Sequence, residues 1–246
     1  METQQYVFID QAEDRMWWFR AMHDNFLLAL RRFLNGETGV LLDAGCGTGG
    51  LMKSIGSAFP KLSIVGVDIE ARAAARAREK SGAFVAVGSV NNLPFADHAF
   101  LAMTSSDILY HKAVDPAAAA REAFRCLKPG GIFVVTVPAY EWLASAHDER
   151  VHGARRYSRR SLLPVLSGAG LDVVYSTYWN TLLFPLMVIR RKVFATSGGE
   201  SDIKIFSPPI DFIFRAVTRV EHALLKAGLR FPFGGGLMAV GCKPAA

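Results

Sequence analysis

Gly45, Gly47 and Gly50 follow the apolar run Val40-Leu41-Leu42 in a G-x-G-x-x-G spacing, and Asp68 comes 23 residues after Gly45. Glycines so placed between a strand and a helix let backbone N–H groups approach a ligand. An acid at the end of the next strand can hold ribose hydroxyls. That much fits a dinucleotide. Asp43 points elsewhere, because a carboxylate just ahead of the first glycine repels a pyrophosphate carrying about two negative charges. It suits a ligand with positive charge, such as a sulfonium amino acid with its own ammonium group.

A second cluster of chemistry-bearing side chains lies between 139 and 158: Tyr140, Trp142, His147, Asp148, His152, Arg155, Arg156 and Tyr157. Imidazole changes charge near neutrality and is the natural proton acceptor. His147 is the first candidate base and His111 the second. Arg155 and Arg156 can grip a carboxylate or phosphate in bidentate fashion. They serve equally well as partners of Asp148 and Glu149 in a salt-bridged lid, and Asp148 can pair with either.

These residues need a scaffold, and the chain supplies one in alternating elements. An amphipathic helix is expected over 11–34, with Trp17, Trp18, Phe19, Phe26, Leu27, Leu30 and Phe33 apolar. A strand at 40–42 leads through the glycine loop into a helix at about 48–58. Strand Leu62–Val67, helix 70–80, strand 84–87 and a weaker strand 99–104 come next. A helix opened by Asp115-Pro116 runs to Leu127, Lys128-Pro129-Gly130-Gly131 stops it, and strand Ile132–Val137 follows. Such alternation implies βαβ units and a parallel sheet with right-handed crossovers. Beyond Pro138 the rhythm changes to helix 159–168, strand 171–177, an apolar stretch 178–195, a connection 196–209, a helix 210–227 and a closing strand 231–242. The reading is one α/β domain with inserted segments 139–158 and 178–232 over the acceptor side.

Composition narrows the partners. The 246 residues are 51% hydrophobic with a net charge of +6, which excludes a disordered chain. Cys46, Cys126 and Cys242 offer neither paired zinc-ligand spacing nor a disulfide framework, so no metal is expected. METQQYVFIDQAEDR has no leader pattern, and no apolar run reaches the ~20 residues of a spanning helix. A soluble, cytoplasmic protein is expected. The apolar segments end in or carry Arg190, Arg191, Lys192, Arg215 and Arg219. They fit a cap over a hydrophobic pocket, a peripheral contact with anionic membrane, or helices packed on the sheet.

The segment LLDAGCGTGG closely resembles the first motif of class I S-adenosylmethionine-dependent methyltransferases. GVDIE (66–70), GSVNNLPFADHAF (88–100) and EAFRCLKPGG (122–131) resemble later motifs in the same order. WWFR at 17–20 and HD…H…RRY at 147–157 resemble a bacterial small-molecule branch, and GGGLMAVGCK resembles the antiparallel closing strand. The resemblance implies a Rossmann-like doubly wound sheet, mostly parallel with an antiparallel last strand, plus an N-terminal helix and cap helices. It implies S-adenosyl-L-methionine as cofactor, with Gly45, Cys46 and Gly47 near its methionine and ribose. It also implies Asp68 on the ribose hydroxyls, Ile69 against adenine, and Ser89 with Val90 where the family usually has an acid. Ser105, Asp107 and His111 fall beyond the fourth strand at the methionine end, and Arg20 would close over the cofactor. The implied activity is methylation of a small, hydrophobic or lipid-like acceptor. The candidate bases tilt the reading slightly toward O-methylation over N- or C-methylation. Competing readings are an NAD(P)-dependent oxidoreductase, a nucleic-acid methyltransferase, and a non-catalytic S-adenosylmethionine-binding protein. Scattered basic residues and the absence of an added binding module count against nucleic acid.

Overall fold

The structure is a computed structural model, and it describes residues 3–36, 38–145, 148, 152–192 and 206–245. His147, Glu149 and residues 196–205 of the expected connection lie outside the described residues. Strands β1 (Gly39–Ala44), β2 (Leu62–Asp68), β3 (Phe84–Val87), β4 (Phe100–Ser106), β5 (Leu127–Pro138), β6 (Asp172–Trp179) and β7 (Gly236–Cys242) form one seven-stranded sheet. Its order is β3-β2-β1-β4-β5-β7-β6. All neighbours pair parallel except β7, which runs antiparallel to both β5 and β6. The expected mostly parallel sheet with an antiparallel closing strand is what the chain forms.

Helices α1 (Thr3–Ala12), α2 (Trp17–Phe33), α3 (Gly50–Ala58), α4 (Ala71–Ser81), α5 (Pro116–Cys126), α6 (Arg159–Gly168), α7 (Phe184–Lys192) and α8 (Pro208–Lys226) surround the sheet. Successive strand residues point to opposite faces, and β5 shows the result. Phe133, Val135 and Val137 join the core shared with α5 and α6, whereas Ile132 and Val134 join the core shared with α2 and α3. Pro116 takes the first turn of α5 as expected, and Asp115 caps the helix by accepting from Ala117 N and Ala118 N.

Two expectations need correction. The helix expected over 11–34 is broken: α1 ends at Ala12, Met16 is extended, and α2 begins at Trp17. Long-range contacts drive the break, since Trp17 N donates to Asp211 Oδ1 of α8 at 3.1 Å. The helix stops at Cys126, within one residue of the expected end, but Lys128-Pro129-Gly130-Gly131 belongs to β5, which starts at Leu127 and not at Ile132. The register jumps across it, and Gly130 N and Gly131 O bond Lys243 near the end of the described chain. Gly130 sits at φ 75, the left-handed region that favours glycine.

Candidate active site

Because β6 runs parallel to β1, β2, β3, β4 and β5, six strands present their carboxyl ends on one edge, joined there by the start of β7. A cavity of about 670 Å³ opens along that edge. Residues from β2 (Asp68) to β6 (Trp179) line it. With strands ~4.8 Å apart, that path crosses roughly 24 Å of sheet.

At the β2 end the glycine loop is drawn tight. Gly45 N and Cys46 N both donate to Val67 O, at 2.8 and 3.0 Å, and Gly47 N donates to Asp68 Oδ2 at 2.9 Å. A methyl at Gly45 would drive into Ile108, whereas a methyl at Gly47 would meet open space. Asp68 also accepts from Glu70 N at 3.0 Å. Burial raises its pKa despite these bonds. Burial likewise pushes the Cys46 thiol far up, which removes it as a nucleophile.

Glu13, which no motif marked, decides what this loop can take. Its Oε1 accepts from Thr48 Oγ1 at 2.6 Å and Lys80 Nζ at 2.5 Å, and its Oε2 accepts from Gly50 N at 3.2 Å. The N-terminal amides of α3 are where a pyrophosphate would bind. Here a buried carboxylate already holds that helix end. Its partners lie 35, 37 and 67 residues away, so no local pattern could have shown it.

Two further carboxylates line the middle. Asp43 is fully buried, accepts from Thr104 Oγ1 at 2.8 Å, and has its pKa pushed up to about 7 by desolvation. Asp107, at φ 49, accepts from Thr136 Oγ1 at 3.2 Å, and desolvation raises it to about 6. His111 lines the cavity beside Tyr110, their rings 4.3 Å apart. His23 also lines it, shares a hydrogen bond with Ser54 Oγ, and is held neutral by burial, its pKa lowered to about 4.

The far end is aromatic and apolar. Trp17, Trp18, Phe19, Trp179, Met187 and Phe214 line it, with Trp18 and Trp179 rings 5.6 Å apart. Trp17 Nε1, Trp179 Nε1 and Asn180 Oδ1 are buried with no hydrogen-bond partner among the described residues, so this wall carries unspent polarity. The turn is pinned by Glu221 of α8, which accepts from Asn180 N, Thr181 N and Leu182 N. Trp179 and Asn180 were missed because the expected strand ended at Thr177. Its parallel direction was the signal that its end faces this edge.

Of the residues singled out in the sequence, Asp43, Gly45, Cys46, Gly47, Asp68, Asp107, His111, Asp148 and Arg156 line the cavity. Others do not. Arg20 is exposed and donates to Asp14 O, bracing the turn between α1 and α2. Ile69 is 67% exposed next to Asp68. Ser89 accepts from Asn91 N in a local turn, and Val90 packs against the core. Ser105 is buried and donates to Ala44 O, tying β4 to β1.

The cluster 139–158 divides the same way. Arg156, not Arg155, takes Asp148: Nη2 meets Oδ1 at 2.8 Å and Nε meets Oδ2 at 3.1 Å, both side chains buried. Arg155 donates Nη1 to the carbonyls of Leu109 and Val114, clasping backbone away from the cavity wall. Tyr157 donates to Leu109 O within the core. Tyr140 stacks on Tyr178 at 5.2 Å, Trp142 is half exposed, and His152 is exposed, so none of these reaches the cavity wall.

Comparison with known proteins agrees with this architecture. Residues 42–135 match a family described as a methyltransferase domain. A 24-methylenesterol C-methyltransferase 2 from Oryza sativa subsp. japonica is 34% identical over 131 residues, 47% of this chain and 34% of that protein. Among solved structures, a chain from a complex of the Haloferax volcanii Trm112 methyltransferase activator with a methyltransferase superposes with TM-score 0.64. It is 23% identical, covering 99% of this chain and 96% of that one. Geranyl diphosphate C-methyltransferase from Streptomyces coelicolor A3(2) gives TM-score 0.62 at 18% identity, covering 92% and 79%. By sheet order, glycine loop and the domain matched over residues 42–135, the chain is similar to the class I S-adenosylmethionine-dependent methyltransferases. It spans about a third of the length of the sterol methyltransferase it matches.

Proposed function

We propose that this chain transfers a methyl group from S-adenosylmethionine to carbon in a small lipid-like acceptor. The observation that carries the reading is one cavity joining the Gly47–Asp68 corner to an aromatic, apolar chamber, with buried carboxylates between them. The residues present fit the cofactor. Asp68 stands where ribose hydroxyls would be held, Gly47 leaves room, and exposed Ile69 offers an apolar surface beside Asp68 for a base. Asp43 and Asp107 complement positive charge, while Glu13 on α3 and Asp43 oppose a pyrophosphate. A dinucleotide-dependent oxidoreductase is therefore disfavoured by this chain's own residues.

When bound, S-adenosylmethionine supplies an electrophilic methyl on a good sulfonium leaving group. The chain's contribution is alignment, worth up to ~7–11 kcal/mol for a well-held pair. Carbon is proposed over oxygen because the sterol relative is named as a C-methyltransferase. If the acceptor carbon is an alkene, methylation leaves positive charge on its neighbour, and one proton must then depart. The faces of Trp17, Trp18, Phe19 and Trp179 would stabilise that charge. His111 or ionised Asp107 would take the proton.

Incubation with methyl-labelled S-adenosylmethionine and a lipid extract is expected to place label in an organic-soluble product whose carbon spectrum shows a C-bound methyl. Label on oxygen or nitrogen would refute the choice of atom. Binding of S-adenosylhomocysteine with no transfer to any fraction would make the chain a non-catalytic binder.

The carboxylates also give a pH prediction. Asp43 and Asp107 have folded pKa values raised above the usual 3.8, so folded protein holds protons that unfolded chain releases. Their contribution to stability is present at lower pH and lost as pH rises through about 6 and 7. A sulfonium favours their ionised forms. The ratio of S-adenosylmethionine to S-adenosylhomocysteine affinity should thus rise between about pH 6 and 7. A flat ratio by calorimetry would remove these groups from the cation's surroundings.

A further inference from the structure

On α8, Ile213, Ala216, Val220, Ala223 and Leu224 recur at helical spacing and are all exposed, while only Glu221 and Leu225 of that helix are buried. No residue of α7 is buried, and Leu186 and Ile189, nearly one turn apart, are both about half exposed. Leu186 and Ile210 belong to two places at once: they line the cavity, yet are 50% and 42% exposed. The lip of the cavity is part of this apolar face.

Its charge is one-sided. The two helices carry Arg190, Arg191, Lys192, Arg215, Arg219 and Lys226 against two acids, Asp211 and Glu221. Both acids are engaged internally: Asp211 accepts from Trp17 N and pairs with Arg215, and buried Glu221 holds the turn after β6. Arg190 and Arg191 line the cavity and Arg215 is spent on Asp211, so the outward face is apolar with Lys192, Arg219 and Lys226 as its exposed cations. Half-exposed Trp142 lies beside it with Lys192 Nζ 5.9 Å from its ring, an amphipathic pair of the kind that sits at headgroup level.

We infer that the outer face of α7 and α8 docks on an anionic lipid surface, and that the acceptor enters the cavity directly from it. This rests on the lipid-like acceptor proposed above. Docking is interfacial, because no helix among the described residues is long and apolar enough to cross a membrane. A second copy is the poorer occupant. A twofold contact through this face would set its like charges against each other.

The test is flotation of the full chain with vesicles of phosphatidylcholine alone and of phosphatidylcholine with phosphatidylglycerol in equal parts, with no acceptor present. Stronger partition onto the anionic vesicles is expected. Ile213→Asp with Val220→Asp should reduce it at least about tenfold while calorimetric affinity for S-adenosylhomocysteine stays unchanged, since neither side chain lines the cavity. Lys192→Gln and Arg219→Gln should each cost about fivefold on anionic vesicles and nothing on neutral ones. Absence of vesicle binding by folded protein overturns the inference, as does undiminished binding by the aspartate variant. So does a concentration-dependent dimer in sedimentation equilibrium that the aspartate variant abolishes. Failure to bind S-adenosylhomocysteine would instead defeat the proposed function, and the vesicle result would stand apart from it.

Discussion

Asp68→Ala should lower affinity for S-adenosylmethionine and S-adenosylhomocysteine by about 10²–10⁴-fold, the worth of two charge-assisted hydrogen bonds. The carboxylate lies on the cavity at the carboxyl end of β2, where it also accepts from Gly47 N and Glu70 N. Its loss therefore removes the proposed ribose acceptor and slackens the glycine loop that Gly47 N ties to it. Asp68→Asn keeps a carbonyl for one backbone donor and should fall between wild type and alanine. The measurement is calorimetric titration, with the melting temperature as a control for folding. Unchanged affinity in a folded Asp68→Ala protein would remove Asp68 from the cofactor site.

Arg156→Met should cost about 3–5 kcal/mol of stability, because it leaves the Asp148 carboxylate buried without its cation. For a chain of this size that is a fall in Tm on the order of 10 °C. Arg156 reaches Asp148 through Nε and Nη2 and also donates Nη1 to Ala139 O at 3.1 Å, so it welds the segment after β5 to the cavity wall. The double variant Asp148→Leu, Arg156→Met should recover much of the loss, since the cost lies in the orphaned charge. The pH dependence follows from the sign. Arg156 holds the Asp148 pKa below its usual value, although burial pushes the other way. The pair's stabilisation is thus present above the usual carboxylate range and lost as pH falls through the lowered value. Wild type should lose stability more steeply on acidification than the double variant. A thermal scan showing equal Tm for wild type and Arg156→Met would defeat the assignment.

Much of the cofactor end was legible in the chain because its causes are local. A strand, a tight turn and a helix start follow from apolar runs and glycines close together, and Asp43 and Asp68 stand at strand ends that those runs already mark. The acceptor end was not legible in the same way. Arg155 and Arg156 are adjacent and chemically alike, yet one clasps backbone carbonyls while the other forms the buried pair. Neighbouring side chains point in different directions, and only packing decides which faces inward. Trp142 and Tyr140 looked like ligand walls by type, but they belong to an aromatic stack outside the cavity, while Trp179 from a distant strand lines it.

The alternating α/β order and the glycine loop with its two aspartates were written in the chain, and so was the charge argument for the proposed cationic ligand. Each depends on short-range periodicity, turn chemistry or the sign of a nearby charge. Tertiary structure alone decided the rest. It placed Glu13 on the N-terminus of α3, chose Arg156 for Asp148, broke the first helix at Met16, and left one face of α7 and α8 uncovered. These depend on contacts between residues far apart in the chain, where many pairings have equal chemistry and only the geometry of the sheet selects among them.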